Sequence, residues 1–116
     1  MILMILKIIA AAATILTGLY ALLRPTKIDG FTGIQAPSPR GVTEVRSIFG
    51  ALFIGLGAYP LVTSAPAAYS MLGVGYLAIA VVRLVSIFLD KSSVKSNWIS
   101  LAVEIVFGVL LVLPAA

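Results

Sequence analysis

The order of apolar and polar positions divides the chain into four long apolar runs, separated by polar or proline-rich segments. Each run approaches the roughly 20 apolar residues that a helix needs to cross a bilayer. The pattern therefore predicts an all-α protein, a four-helix transmembrane bundle of up-down topology that forms one integral membrane domain over residues 1–116. The predicted helices cover about residues 2–23, 43–60, 67–89 and 98–113.

The first run carries a single charge, Lys7. A cleaved signal peptide is the alternative, because residues 11–13 are three alanines that resemble a cleavage site. In a signal peptide the charge precedes the apolar core, whereas here apolar residues continue well past the alanines. A retained helix is therefore predicted. Small residues recur at every fourth position in it, and such faces let helices approach closely in lipid. They are Ala10, Thr14 and Gly18, with a second set at Ala13, Thr17 and Ala21.

The segment 24–42 is the one long connection, and its three prolines and three glycines exclude a continuous helix. Its apolar residues Ile28, Phe31 and Ile34 are placed to dip into the headgroup layer. A long loop is often functional, but a surface loop over the polar end of the bundle is the favoured interpretation. Thr43 is the predicted N-cap of the second helix, and Pro60 its predicted end.

The second helix begins with two opposite charges, Glu44 and Arg46, and carries no further charge before Pro60. At 100° per residue the two charges lie about 200° apart, so they need not pair with each other. The face of Glu44 carries the small residues Ser47, Ala51 and Gly55. The face of Arg46 carries Gly50, Phe53 and Gly57.

Composition places the chain in lipid. Of its 116 residues, 61% are hydrophobic and 10% charged, whereas soluble domains are about 25% charged, and a small soluble domain cannot hide so much apolar surface. The sequence has no Cys and no His. Thiol and imidazole chemistry and the commonest zinc and haem ligands are thus excluded, so no metal or cofactor is expected. The net charge of +4 lies beside apolar helices and does not indicate nucleic-acid binding.

Positive charges are distributed unequally between the two ends of the predicted helices. Six lie at the first and third connections, and only Lys7 lies at the other end. By the positive-inside rule, the loops 24–42 and 90–97 are predicted to be cytoplasmic and both termini to face outward. Lys7 is then expected to snorkel outward along its stem. The six cationic residues are Arg24, Lys27, Arg40, Arg46, Lys91 and Lys95.

One charge lies deep inside each of the third and fourth predicted helices. Glu104 lies six residues beyond Trp98, about 9 Å along the helix, and Arg83 lies seven residues before Asp90, about 10 Å. Ionised groups at such depth are costly when alone, so Arg83 and Glu104 are predicted to face each other inside the bundle. The candidate polar cluster near the cytoplasmic face is Glu44, Arg46, Arg83, Asp90 and Glu104.

The cluster has two interpretations. It either lines a pocket for an anionic headgroup, a quinone-like ligand or a proton, or it is a neutral clasp that sets helix register. The clasp is favoured, because paired charges in a membrane need no ligand to explain them. Arg46 could equally snorkel to headgroup phosphates.

These motifs resemble an uncharacterised bacterial family of small four-helix integral membrane proteins, a domain-of-unknown-function family. The matching features are the E-x-R of Glu44 and Arg46 with the glycines that follow, the R-L-x-S-x-x-x-D from Arg83 to Asp90, and Glu104. Lys91 stands where a glycine is expected. The resemblance implies a bacterial inner-membrane protein and implies no reaction. A weaker similarity, in size and span number only, is to DoxX-like proteins and small sterol-pathway scaffolds.

Three functions are compatible with this pattern. The favoured one is a non-catalytic accessory or scaffold subunit that contacts membrane lipids and a membrane-protein partner or a second copy of itself. The alternative is a small-molecule, lipid-binding or transport protein that uses the Arg/Glu pocket. An enzyme ranks last, because a glutamate and an arginine would have to act without His, Cys or a metal.

Overall fold

All regular structure in residues 1–115, which the computed structural model describes, is helical. The helices α3, Pro39–Glu44, and α4, Phe53–Thr63, are joined by a π-helical segment at Val45–Leu52. These three parts form one helix, Pro39–Thr63, called the second span below. Four helices are long and apolar enough to cross a membrane, as predicted: the second span, α1 Ile2–Leu23, α5 Pro66–Leu89 and α6 Lys95–Val112. The α-helices are α1 Ile2–Leu23, α2 Asp29–Thr32, α3 Pro39–Glu44, α4 Phe53–Thr63, α5 Pro66–Leu89 and α6 Lys95–Val112.

The second span is longer at both ends than the predicted 43–60. Ser38, not Thr43, is its N-cap: the Ser38 hydroxyl accepts the Gly41 N–H at 3.1 Å, and Pro39 takes the first helical position, where its missing N–H costs nothing. At the other end the helix continues through Pro60 and closes at Ser64, which adopts the left-handed conformation with φ 55°.

The connection between α1 and the second span is residues 24–38, shorter than the predicted 24–42. It contains the one-turn helix α2, which ends at Gly33 in the left-handed conformation. Ile28 does not dip outward as expected. It is buried and packs with Ala21 and Val45, while Phe31 and Ile34 remain exposed. The segment is therefore anchored to the helices that it joins.

The chain forms two compact units, the first of which is Ile9–Ser64. Within it, α1 and the second span run in opposite directions and touch through glycines. A Cβ added to Gly18 would lie 2.6 Å from the Gly50 carbonyl oxygen, and one added to Gly57 would lie 2.6 Å from the Ala11 carbonyl oxygen. Each glycine thus allows backbone to meet backbone, which is how helices without a hydrophobic driving force associate in lipid.

The π-helical segment in the second span is not evident from the sequence. π-helices bond i to i+5 and are rare, usually single-turn features, whereas this one extends over the eight residues Val45–Leu52. Val45 and Gly50 are its buried members. A Cβ on Gly50 would lie 3.1 Å from the Leu22 side chain. The wider turn changes which residues face inward, and the constant 100° step assumed for this helix does not hold there.

The second unit comprises Met1–Ile8 and the chain from Ala65 onward. In it, α5 and α6 pack against each other in opposite directions. Gly73 and Gly108 again allow close approach: a Cβ on Gly73 would lie 2.9 Å from the Gly108 carbonyl oxygen. Further along, Tyr76 and Phe107 pack edge to face with centroids 5.5 Å apart. A cluster of buried apolar residues continues the contact, at Ala80, Ile87 and Leu101.

α5 ends in a motif that normally requires glycine. Asp90 is its C-cap, and Lys91 has φ 51°, in the left-handed region. The Ser92 N–H donates to the Ile87 carbonyl at 2.9 Å, five residues back, as in a Schellman motif. Lys91 thus occupies a conformation that favours glycine, at the position where the family pattern leads one to expect that residue.

We expect Lys91→Gly to stabilise the protein by about 1 kcal/mol, because glycine adopts the left-handed conformation without the Cβ clash. Thermal unfolding in a mild detergent measures the change. Lys91→Ala is the matched control: it also removes the charge but keeps the Cβ, and should give no gain. If both variants gained the same stability, the gain would come from removal of the charge and not from the backbone conformation of residue 91.

Candidate functional site

Arg83 of α5 and Glu104 of α6 form the ion pair predicted from the sequence. Arg83 Nε donates to Glu104 Oε1 at 2.8 Å, and Nη2 donates to Oε2 at 2.7 Å. This is the side-on, two-bond fork of an arginine and a carboxylate. The Glu104 side chain is 10% exposed and that of Arg83 is 32% exposed. The predicted pairing is thus confirmed.

Asn97 adds a third member to this network. Its side-chain oxygen accepts from Arg83 Nη1 at 2.8 Å, and its Nδ2 donates to both the carbonyl and the hydroxyl oxygen of Ser92 at 3.0 and 3.1 Å. Arg83 therefore connects α5 to two positions on α6, Asn97 and Glu104, and through Asn97 to the turn at residues 90–94. Every buried side-chain N or O among the described residues has a hydrogen-bond partner, so no buried polar atom of the network is left unpaired.

The sequence pattern does not identify Asn97 as a partner of Arg83, because it predicts a polar turn over residues 90–97 and a fourth helix that starts at Trp98. The helix starts at Lys95 instead. Asn97 lies seven residues before Glu104, and residues seven apart share one helix face. That spacing, combined with the correct helix start, would have identified Asn97 as a partner of Arg83.

The depth of the guanidinium group follows from its two partners. Asn97 is in the first turn of α6, and Glu104 lies about 10 Å further along the same helix. Arg83 therefore extends its side chain toward the helix end and reaches the level between them. Trp98, next to Asn97, packs edge to face on Phe88 with centroids 6.1 Å apart, and tryptophan is typical of the membrane interface. The guanidinium group thus lies near the end of the α5–α6 pair that carries Trp98.

Of the other three predicted cluster residues, Glu44 and Arg46 belong to the first unit and Asp90 belongs to the second. Glu44 pairs with Arg40 at 3.2 Å on an exposed surface of the first unit, where such a pair contributes little. It does not pair with Arg46, since the ion pairs among residues 1–115 are Arg40–Glu44 and Arg83–Glu104. Asp90 is exposed at the end of α5, where its backbone N–H donates to the Ser86 carbonyl.

Lys7 contradicts the expectation that it snorkels outward. Its side chain is 3% exposed, and Nζ donates to the carbonyl oxygens of Leu111, at 3.1 Å, and Leu113. These carbonyls belong to the end of α6, where no intrahelical donor follows and the helix dipole is negative. The Lys7 ammonium group supplies both the missing hydrogen-bond donors and a positive charge. It therefore binds the helix end instead of reaching solvent.

Comparison with known protein families gave one match. A family model described as "Domain of unknown function (DUF4345)" matches residues 2–114, nearly the whole chain. The chain belongs to this DUF4345 family. Neither the curated proteins nor the solved structures contain a match to it. Membership agrees with the resemblance to an uncharacterised family and assigns no reaction.

The chemistry of the Arg83 network in this DUF4345 protein is that of a closed ion pair. Both oxygens of Glu104 accept hydrogen bonds from Arg83. Within residues 1–115, no three His, Cys, Asp or Glu side chains are grouped so as to hold a metal ion. The arrangement is suited to holding α5 and α6 in register, with the outer side of the guanidinium group left accessible.

Proposed function

We propose that this chain is a multi-pass protein of the bacterial inner membrane that acts, without catalysis, as an accessory or scaffold subunit of a larger membrane complex. The four apolar helices support the location. The closed Arg83–Glu104 pair supports the lack of catalysis, because the Glu104 carboxylate is already bound by Arg83. Lateral binding to another membrane protein is then the main activity left to the molecule.

An up-down four-helix bundle is the topology that we propose for it. The antiparallel packing of α1 on the second span, and of α5 on α6, supports this arrangement. The connections, taken as 24–42 and 90–97, are assigned to the cytoplasm because they carry the excess of Lys and Arg. Both termini are assigned to the outside, and the contact of Lys7 with the end of α6 supports a common side for them.

The observation that carries the proposed role is an exposed face of small residues on the second span. Ser47, Ala51 and Gly55 recur every four positions, and all three are exposed. A Cβ added to Gly55 would meet no atom within 4 Å. The buried glycines of the same helix already contact α1, so this face is left over for another helix. Small residues on a lipid-exposed face permit close contact between helix backbones.

A ligand-binding or transport protein that uses the Arg/Glu site is the second candidate. It is supported less well, because Arg83 and Glu104 neutralise each other and Asn97 occupies a further donor. A transported substrate would have to break bonds that already satisfy the network.

We expect Gly55→Leu to lower the recovery of membrane-protein partners at least about tenfold, because a bulky side chain separates two closely packed helices and about 1.4 kcal/mol suffices for that loss. The protein is purified in mild detergent through an affinity tag, and co-purified membrane proteins are quantified by mass spectrometry. The variant itself should accumulate normally, because the site is open and leucine favours helix.

Gly75→Leu in α5 is the matched control. Gly75 is also exposed with no atom within 4 Å of an added Cβ. Large exposed residues lie four positions away on both sides of it, Met71 and Ile79, whereas Gly55 has such a neighbour on one side only, Tyr59. Recovery should therefore be unchanged. A wild-type protein that runs as a single chain with no partner would refute the accessory role. Self-association alone would replace a larger complex with a homo-oligomer.

A further inference from the structure

Arg83 has hydrogen-bonding capacity that its known partners do not use. A guanidinium group has five N–H donors. The Nε–H and one N–H on Nη2 bind Glu104, and one N–H on Nη1 binds Asn97. One N–H on each Nη thus has no partner among residues 1–115. The side chain is 32% exposed, so these donors are accessible from outside the pair.

Arg83 belongs to a helix that is long and apolar enough to cross a membrane. Its guanidinium group binds Asn97 in the first turn of α6, and in a helix that crosses a membrane such a position is close to the interface. N–H groups left unpaired near hydrocarbon cost several kcal/mol. The acceptors available at this depth in a bilayer are water and the phosphate oxygens of lipid headgroups.

We propose that Arg83 is a binding site for a phosphate oxyanion, supplied by the headgroup of an anionic phospholipid. The two remaining donors lie on adjacent nitrogens of one planar group, and phosphate oxygens match such donors with two bonds. Glu104 and Asn97 hold the guanidinium group in place, so little conformational freedom is lost on binding. This inference does not depend on the accessory role proposed above.

The charge of the region supports an anionic ligand. Glu104 cancels the charge of Arg83, but Lys91 and Lys95 are exposed in the turn just beyond, opposed there by Asp90. Basic residues next to a membrane attract anionic lipids.

The test measures how lipids change thermal unfolding of the purified protein in detergent micelles. Phosphatidylglycerol, diacylglycerol with the same acyl chains but no phosphate, and inorganic phosphate are added separately. We expect phosphatidylglycerol to raise the unfolding midpoint by about 5 °C more than diacylglycerol does, since a ligand that binds only the folded state stabilises it. Phosphate ion should have little effect; an equal effect would support the site and identify a soluble phosphate as its ligand.

The double variant Arg83→Leu with Glu104→Leu shows whether the effect comes from this site. It removes both charges together, so no buried ion is left unpaired, and the selective lipid effect should disappear. Should it not accumulate, Arg83→Gln with Glu104→Gln serves the same purpose. A selective effect that survives in the double variant, or no difference between the two lipids in the wild type, overturns the proposal.

Discussion

Arg83→Leu alone is expected to destabilise the protein by about 3–5 kcal/mol, the cost of removing one partner of a buried ion pair. The substitution leaves the Glu104 carboxylate, which is 10% exposed, without its cation. It also removes the donor to Asn97, so the bond between α5 and the first turn of α6 is lost. The loss is measured from unfolding curves in mixed micelles of mild detergent and dodecyl sulfate.

The double variant Arg83→Leu with Glu104→Leu is expected to be within about 1 kcal/mol of the wild type, because replacing a whole buried pair by apolar residues is often neutral or stabilising. The difference between the single and double variants measures the cost of an unpaired charge. If the single variant were as stable as the wild type, Glu104 would have to be solvated, and the interpretation of the pair as a clasp would be wrong.

Gly57→Ala is expected to destabilise the protein by about 2–3 kcal/mol, since overpacking a tight contact costs this much. The added Cβ would lie 2.6 Å from the Ala11 carbonyl oxygen and 2.8 Å from Ile15 Cγ1. The first of these atoms is backbone, so relief requires α1 and the second span to move apart. Helix propensity opposes the effect, because alanine favours helix over glycine by about 1 kcal/mol.

Gly55→Ala, two residues away on the same helix, is the matched control. No atom lies within 4 Å of its added Cβ, so only the gain in helix propensity remains and the variant should be slightly more stable. The same unfolding assay compares both. Equal behaviour of the two variants would show that α1 and α4 do not touch at Gly57.

The Arg83 variants and the Gly57 variant with its control test two different kinds of contact between helices. The Arg83 network is polar and specific, and its contribution depends on every partner being present. The glycine contacts are steric and depend on the absence of a side chain. Neither relies on the hydrophobic effect between helices, which is weak in lipid because the surrounding chains are equally apolar.

Much of the architecture was predictable because it depends on local composition. Long apolar runs specify helices in a membrane whatever their neighbours, so the four helices and the limits of α1 follow from hydropathy. The pairing of Arg83 with Glu104 was predictable for a similar reason: with few charges inside apolar helices, opposite signs at similar depth have little choice of partner.

Helix ends were predicted less well, because capping depends on single side chains. Thr43 and Ser38 are both acceptable N-caps, and the structure uses Ser38 with Pro39 behind it. Glu44 then lies past the first turn and pairs with Arg40. Because the cap lies five residues earlier than predicted, Arg40 is in the same helix as Glu44 and pairs with it, whereas the sequence pattern had placed Arg40 in the connection.

The amino-acid pattern is sufficient to predict four apolar helices and the pairing of Arg83 with Glu104. Which small residues pack against another helix, and which remain exposed, depends on the tertiary structure. Nothing in the sequence distinguishes Gly57 from Gly55. A Cβ added to Gly57 would lie against the backbone of α1, whereas one added to Gly55 would meet no atom within 4 Å. The sequence also did not reveal that Lys7 binds the carbonyls at the end of α6. Both outcomes depend on where a distant helix lies, and local hydropathy and propensity do not encode that position.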